Sequence, residues 1–317
     1  MLFKILYKSF KSGIYKICVF WYNIKVNLNK YWVLMEEKNY LNFTINDNVI
    51  FVPKSIDFDA SQTLECGQVF RYKVTDFGYE VYSLNHKASI ICQKDGTKII
   101  CDDVNYFIKY FDLLQDYATI KSELNKNEFV KDAIVFGEGI RILRQDPLET
   151  IISFLISQNN NIPRIKKIIE DICTNFGEKC DGYYAFPTLE QLKSIPKQFF
   201  TDIKCGYRDE YLYSTIQSIC NGFDLNKVNT LTSNDANKYL CELKGVGNKV
   251  ADCILLYGFH KTDVFPTDTW IKKIYLDYNP NGTDKTAVEI RNEFVQLYGD
   301  LSGYAQQYLF YSKRENK

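Results

Sequence analysis

The stretch Leu243-Lys244-Gly245-Val246-Gly247-Asn248-Lys249-Val250-Ala251-Asp252-Cys253, followed shortly by Phe265-Pro266-Thr267-Asp268-Thr269-Trp270, decides the fold. A mixed polar and apolar run ending at Leu243 reads as a helix, Gly-Val-Gly as a tight turn, and Asn248 as the cap of a second helix reaching about Tyr257. Together they make a helix-hairpin-helix. Its glycines let the backbone approach another molecule closely, and the N–H groups opening the second helix suit a phosphate. The plainer alternative is a loop with a solvated lysine. Lys249 lies in the first turn of that helix, where the helix dipole disfavours a cation, so its placement asks for a reason. A little later, Pro266-Thr267-Asp268 opens another helix with a carboxylate at its start.

Working outward, the 317 residues suffice for two domains or one elaborated domain, with an ordinary hydrophobic fraction. The formal charge of zero hides an asymmetry: residues 1–34 carry six lysines and no acid, leaving residues 35–317 at about minus six. An acidic body cannot bind a polyanion through a broad positive field, so any such contact must be a local footprint. Ten cysteines are scattered without a close CxxC pair, which gives no zinc motif and favours reduced cytosolic thiols. With only His86 and His260, a histidine triad or multi-histidine metal site is nearly ruled out, leaving Lys, Asp, Cys or Tyr for any chemistry.

Residues 1–34 are aromatic, apolar and basic, with no apolar run of membrane-spanning length. They read as an amphipathic anchor, a targeting segment, or sequence upstream of the true start; we favour Met35 as the natural start and expect the extension to be poorly packed. From about Asn39 to Val104 the pattern is β, with strands expected at 69–74, 79–82, 88–92 and 98–101, and Lys94-Asp95-Gly96 as a hairpin turn. Strands this closely spaced should form an antiparallel meander. Helical periodicity then predicts helices over 106–114, 117–125, 129–136, 147–157, 161–176, 189–195, 208–221, 234–243, 248–257, 267–277, 286–298 and 302–312. The fold class expected is α+β: a small antiparallel sheet domain over 35–140, then an all-α domain over 141–317.

The hairpin with its spaced Pro-Thr-Asp resembles the helix-hairpin-helix, Gly-Pro-Asp superfamily of DNA base-excision glycosylases, and Lys249 resembles the lysine of its bifunctional glycosylase/lyase members. Further motifs narrow the resemblance. Cys66-Gly67-Gln68-Val69-Phe70-Arg71, Ser157-Gln158-Asn159-Asn160-Asn161-Ile162-Pro163-Arg164, Ala185-Phe186-Pro187-Thr188, Gly206-Tyr207-Arg208 and Ala305-Gln306-Gln307-Tyr308-Leu309-Phe310 occur in the order of the 8-oxoguanine DNA glycosylase family. The resemblance covers most of residues 36–317. It implies a TATA-binding-protein-like N-terminal sheet, a monomer acting on double-stranded DNA containing oxidised guanine, and a cytoplasmic (nucleoid) or nuclear location. It implies no organic cofactor; a monovalent cation on hairpin carbonyls is conceivable. The iron-sulfur loop of some relatives is excluded, because no cysteine follows Cys253.

A glycosylase must extrude its base from the stack, fill the gap and attack the sugar. The resemblance makes Lys249 the nucleophile, with burial or the helix N-terminus expected to depress its pKa so that the amine is neutral. Asp268 would stabilise positive charge on the sugar and orient or deprotonate the lysine, a role compatible with a plain helix cap. Cys253, four residues beyond Lys249, shares its helical face; a structural cysteine is the usual reading, and the resemblance instead packs it against the flipped base with Phe310 opposite. Gln306 would read the Watson-Crick edge. The carbonyl of Gly67 would accept from N7–H, which only the oxidised base carries; otherwise Gly67 is a simple turn residue. Asn159, Arg164 and Arg208 match positions that contact the estranged cytosine, and Tyr207 the wedge, against readings of Asn159–Asn161 as a polar junction and Arg208 as an ion-pair partner of Asp209 or Glu210. Arg164 predicts a preference for cytosine. Backbone N–H groups near Gly245, Gly247 and Val250 would hold phosphate. Two departures stand out: Trp270 replaces a histidine found in relatives near the phosphate, and Pro163 enters the Asn-rich junction. The nearest rival is an alkylpurine glycosylase of the same superfamily; a non-catalytic helix-hairpin-helix module is the rival from another class.

Overall fold

A computed structural model describes residues 43–54 and 57–316, so the expectations for residues 1–34 lie outside the described residues. Ile45–Lys317 form one compact unit. Six strands, β1 (Thr44–Asn46), β2 (Val49–Pro53), β3 (Tyr72–Thr75), β4 (Gly78–Ser83), β5 (His86–Cys92) and β6 (Gly96–Cys101), form one sheet in the order β1-β2-β6-β5-β4-β3. The four later strands are the expected meander, every adjacent pair antiparallel. What departs from it is β2, which pairs with β6 instead of β3 because a helix intervenes between them.

That helix, α1 (Ala60–Glu65), was not expected; Asp59 caps it by accepting from Gln62 N. It delivers the chain into Cys66-Gly67-Gln68-Val69-Phe70-Arg71, whose second half was expected as strand and is instead a buried connector. The reason lies in two side chains. Gln68 is fully buried, its amide donating to the carbonyls of Thr63 (2.8 Å) and Arg141 (2.7 Å) and accepting from Leu143 N (2.8 Å). Arg71 reaches buried Glu149 at 3.4 Å and the Tyr184 carbonyl at 2.6 Å. Such a segment is bonded to its surroundings side chain by side chain, and backbone pairing with β4 begins only at Arg71, whose carbonyl accepts from Tyr82 N at 2.9 Å.

The helices follow: α2 (Val104–Tyr110), α3 (Tyr117–Leu124), α4 (Glu128–Phe136), α5 (Pro147–Ser157), α6 (Ile162–Phe176), α7 (Leu189–Lys193), α8 (Lys197–Asp202), α9 (Arg208–Cys220), α10 (Ser233–Leu240), α11 (Asn248–Gly258), α12 (Thr269–Tyr278), α13 (Ala287–Tyr298) and α14 (Ser302–Glu315). The short α8 was the other helix not expected. At the centre is α5, opened by the Asp146 cap and Pro147 and buried from Glu149 to Ile156. Its Phe154 ring stacks on Tyr257 of α11 (centroids 5.4 Å apart) and meets Phe70 of the connector edge-on at 5.8 Å. Phe154 thus joins the connector, the central helix and the second hairpin helix. Among the described residues no helix is long and apolar enough to cross a membrane.

Candidate active site

The hairpin forms as expected, with one correction. The cap of α11 is Gly247, with no side-chain cap hydrogen bond; Asn248 is the first helical residue and its side chain accepts from Cys241 instead. The first N–H groups of α11 therefore have no side-chain acceptor, which is what a phosphate site needs. Gly245 has φ +86°, and a Cβ there would run into the Tyr211 ring. Nothing crowds Gly247. Two neighbours hold the turn: Gln158 donates to the Gly245 carbonyl at 3.0 Å and Thr215 to the Lys244 carbonyl at 3.1 Å. Beneath it, fully buried Asp252 forms a fork with Arg291 of α13, one arm at 3.0 Å, and accepts from Asn237 of α10 at 2.7 Å, locking the two hairpin helices to α13. Val250 is buried.

A cleft of about 860 Å³ runs along this face, lined by Ser157–Asn160, Tyr207, Gly247–Val250, Thr267–Trp270 and Lys272. It brings Lys249 and Asp268 together with Asn159, Tyr207 and the hairpin. Asp268 caps α12 by accepting from Trp270 N and Ile271 N, both at 2.9 Å, so the cap and the expected catalytic carboxylate are one group. Trp270 lines the same cleft, with the Lys273 ammonium 4.6 Å from its ring.

The Lys249 amine lies 5.6 Å from the Phe154 ring centroid. Its pKa is not depressed as expected. Burial, the strongest influence, does pull it down, but Cys253 and then Asp268 pull it up, and the net direction is above the ordinary lysine value. The Cys253 part requires a thiolate, whereas burial pushes that thiol up to about 11, so near neutral pH it keeps its proton. Asp268 is then the charge that opposes burial at this amine. A protonated amine must lose its proton before attack, and the Asp268 carboxylate lines the same cleft.

Outside the cleft lining, the expected base-pocket residues form a second cluster. Gly67, at φ +91°, lies against α14: a Cβ there would stand 3.6 Å from Phe310 and 2.8 Å from Nη1 of Arg314. Gln306 is buried on the same helix, and its Oε1 has no hydrogen-bond partner. Gln307 ties this cluster to the catalytic helix, donating to the Cys66 carbonyl at 3.2 Å and accepting from the Tyr257 hydroxyl at 2.6 Å. Cys253 is buried one turn beyond Lys249 and one turn before Tyr257 on α11.

The opposite-base residues are placed less uniformly. Asn159 sits in the left-handed region at φ +46°, exposed on the cleft. Tyr207 is half exposed, its hydroxyl donating to the Gln158 carbonyl at 3.1 Å. Arg208 is buried and pairs with neither Asp209 nor Glu210; it donates to the carbonyls of Gln158 (2.8 Å), Asn159 (2.7 Å) and Cys205 (3.0 Å). Glu210 is occupied by Lys244 at 2.6 Å. Arg164 is exposed in the first turn of α6 and donates to the Lys204 carbonyl at 2.7 Å, away from the cleft lining. Three participants went unnoticed in the sequence. Gln158 stood in the Asn-rich motif with no role assigned to it and Asp252 left no signal, whereas Arg314 falls four residues beyond Phe310 on the stripe that carries Gln306.

Comparison with known proteins agrees with this geometry. Residues 49–151 match the family model for the N-terminal domain of 8-oxoguanine DNA glycosylase, and residues 152–299 that of the HhH-GPD superfamily of base excision DNA repair proteins. A probable N-glycosylase/DNA lyase of Methanothermobacter thermautotrophicus is 34% identical over 235 residues, 65% of this chain and 73% of that protein. The chain belongs to the 8-oxoguanine DNA glycosylase/lyase family. An Arabidopsis thaliana N-glycosylase/DNA lyase of this family is 30% identical over 275 residues, covering 78% of this chain and 75% of that protein. The Clostridium acetobutylicum 8-oxoguanine glycosylase/lyase, solved with double-stranded DNA containing cytosine opposite 8-oxoguanine, superposes with a TM-score of 0.82 at 37% identity, over 86% of this chain and 98% of that one.

Proposed function

We propose that this protein flips 8-oxoguanine out of double-stranded DNA, excises it with Lys249 as nucleophile, and cuts the strand beside the vacated sugar. The observation that carries the chemistry is a half-buried lysine sharing a cleft with a capping carboxylate beside an uncapped helix N-terminus. Asp268 takes the Lys249 proton as the sugar arrives, and the freed lone pair attacks C1′ while the C1′–N9 bond breaks and the base leaves with its electrons and gains a proton. Once that proton has passed to the departing base, the carboxylate is again negative and offsets positive charge on the sugar. The second amine proton passes to O4′ as the C1′–O4′ bond breaks and the sugar opens to a protonated Schiff base; loss of a C2′ proton then expels the phosphate from C3′, cutting the strand on the 3′ side. A primary amine accounts for the lyase step, where an activated water would not.

The base is held between Cys253 and Phe310. The unpartnered Oε1 of Gln306 is a buried acceptor that suits the N–H groups on the Watson-Crick edge of a guanine. Gly67, crowded by Phe310 and Arg314, supplies the carbonyl for N7–H. Asn159 and Tyr207 meet the estranged cytosine and the gap in the stack directly. Arg208 does so only by giving up carbonyl bonds and Arg164 by leaving Lys204, so both rearrange when DNA binds.

Incubation with duplexes carrying 8-oxoguanine opposite each of the four bases tests the reading. We expect excision with strand cleavage, fastest opposite cytosine. Excision of alkylated purines with 8-oxoguanine left intact would overturn it in favour of the alkylpurine rival.

A further inference from the structure

We propose that Arg314 reads the C8 oxygen of the flipped base. This rests on the functional reading above and adds to it a residue that no motif contains. Gln306, Phe310 and Arg314 are spaced four apart on α14, one stripe along one face. A base with its Watson-Crick edge on Gln306 and one face on Phe310 therefore extends along the helix with its other, C8 end towards Arg314, whose Cα lies about 12 Å further along the axis from that of Gln306. The guanidinium is already gathered there. Its side chain is only 17% exposed, with Nε held by Glu315 at 2.7 Å and Nη2 on the Glu65 carbonyl, its carbon 5.5 Å from the Phe310 ring centroid. That leaves Nη1, which stands 2.8 Å from the point a Gly67 Cβ would occupy.

Gly67 and Arg314 Nη1 thus form an acceptor and a donor side by side. The oxidised base presents the complement, an H–N7–C8=O edge with a donor beside an acceptor. Guanine presents a lone pair on N7 and a C–H at C8, so it fails both contacts. A carbonyl alone tests only N7; the arginine adds a test of C8, and a charged donor gives the stronger of the two hydrogen bonds. Glycine at 67 is then required for a second reason, since a methyl group would push the guanidinium off this edge.

Single-turnover excision by the full chain and R314A tests this with three duplexes: 8-oxoguanine opposite cytosine, 8-thioguanine opposite cytosine, and a preformed abasic site. 8-Thioguanine keeps N7–H and replaces the oxygen with sulfur, a weak acceptor. R314A should lose about tenfold or more on 8-oxoguanine, the effect of one charge-assisted hydrogen bond, lose much less on 8-thioguanine, and cleave the abasic site within about twofold of the parent. An unchanged rate on 8-oxoguanine, an equal loss on both bases, or an equal loss on the abasic site would each overturn the assignment; the last would make Arg314 a support of the fold. If the parent chain itself leaves 8-oxoguanine intact, the functional reading fails first and takes this inference with it.

Discussion

At Lys249 two opposing influences meet, and their signs fix a pH experiment. Asp268 raises the amine's pKa, and only the neutral amine attacks, so the rate of the chemical step rises with pH as the ammonium loses its proton. Replacing Asp268 with Asn removes the raising charge; the rising limb of the single-turnover pH profile should move to lower pH, while the plateau falls because the sugar cation loses its counter-charge. A limb that stays in place would show that Asp268 does not act on the amine. Gly67 supports a second prediction. With φ +91° and Arg314 against it, Gly67→Ala should lower stability by about 1–2 kcal/mol in urea unfolding and reduce 8-oxoguanine excision more than cleavage of an abasic site. Lys249, Asp268, Gly67 and Gln306 could be picked out by motif and resemblance. The balance at the Lys249 amine could not, because it depends on burial and Asp268 meeting in space, and neither could the bonding of Arg208, because its three carbonyl partners lie on turns whose geometry no local pattern encodes.

Among the elements, the hairpin is the one whose sequence and structure agree most closely, since Gly245 at φ +86° and the adjoining helices are local features. What holds it in place is not local. Asp252 joins α10, α11 and α13 through Asn237 and Arg291, residues 15 and 39 positions away, and in the sequence it is one acid among many. Asp252→Ala leaves Arg291 buried without its carboxylate, so it should cost about 3–5 kcal/mol in denaturant unfolding and weaken DNA binding further by loosening the hairpin. A loss below about 1 kcal/mol would mean that packing alone sets the hairpin. The connector Cys66–Arg71 shows the opposite case: β-branched and aromatic residues suggested a strand, and the buried bonds of Gln68 and Arg71 override that propensity.

For the whole molecule, an acidic body and a local site imply modest salt dependence. Binding should follow the few phosphates met by the α11 N-terminus and cleft lysines such as Lys272, giving a plot of log affinity against log salt with a slope corresponding to about two to four phosphates. A much steeper slope would reveal a wider basic footprint. Stability carries its own pH signature. Burial, with help from Arg144, lowers the His260 pKa from 6.5 to about 4. A depressed folded pKa contributes stability that is full above the unfolded value and lost as pH falls from there through the folded one, so urea midpoints should drop between about pH 6.5 and 4, and His260→Gln should flatten part of that drop. The central claim is that one amine performs both excision and strand cleavage. Borohydride added during turnover of a duplex with 8-oxoguanine opposite cytosine should fix the chain to DNA, and mass mapping should place the link on Lys249, with no adduct from Lys249→Gln. An adduct that persists in Lys249→Gln, or maps to another residue, would contradict the account.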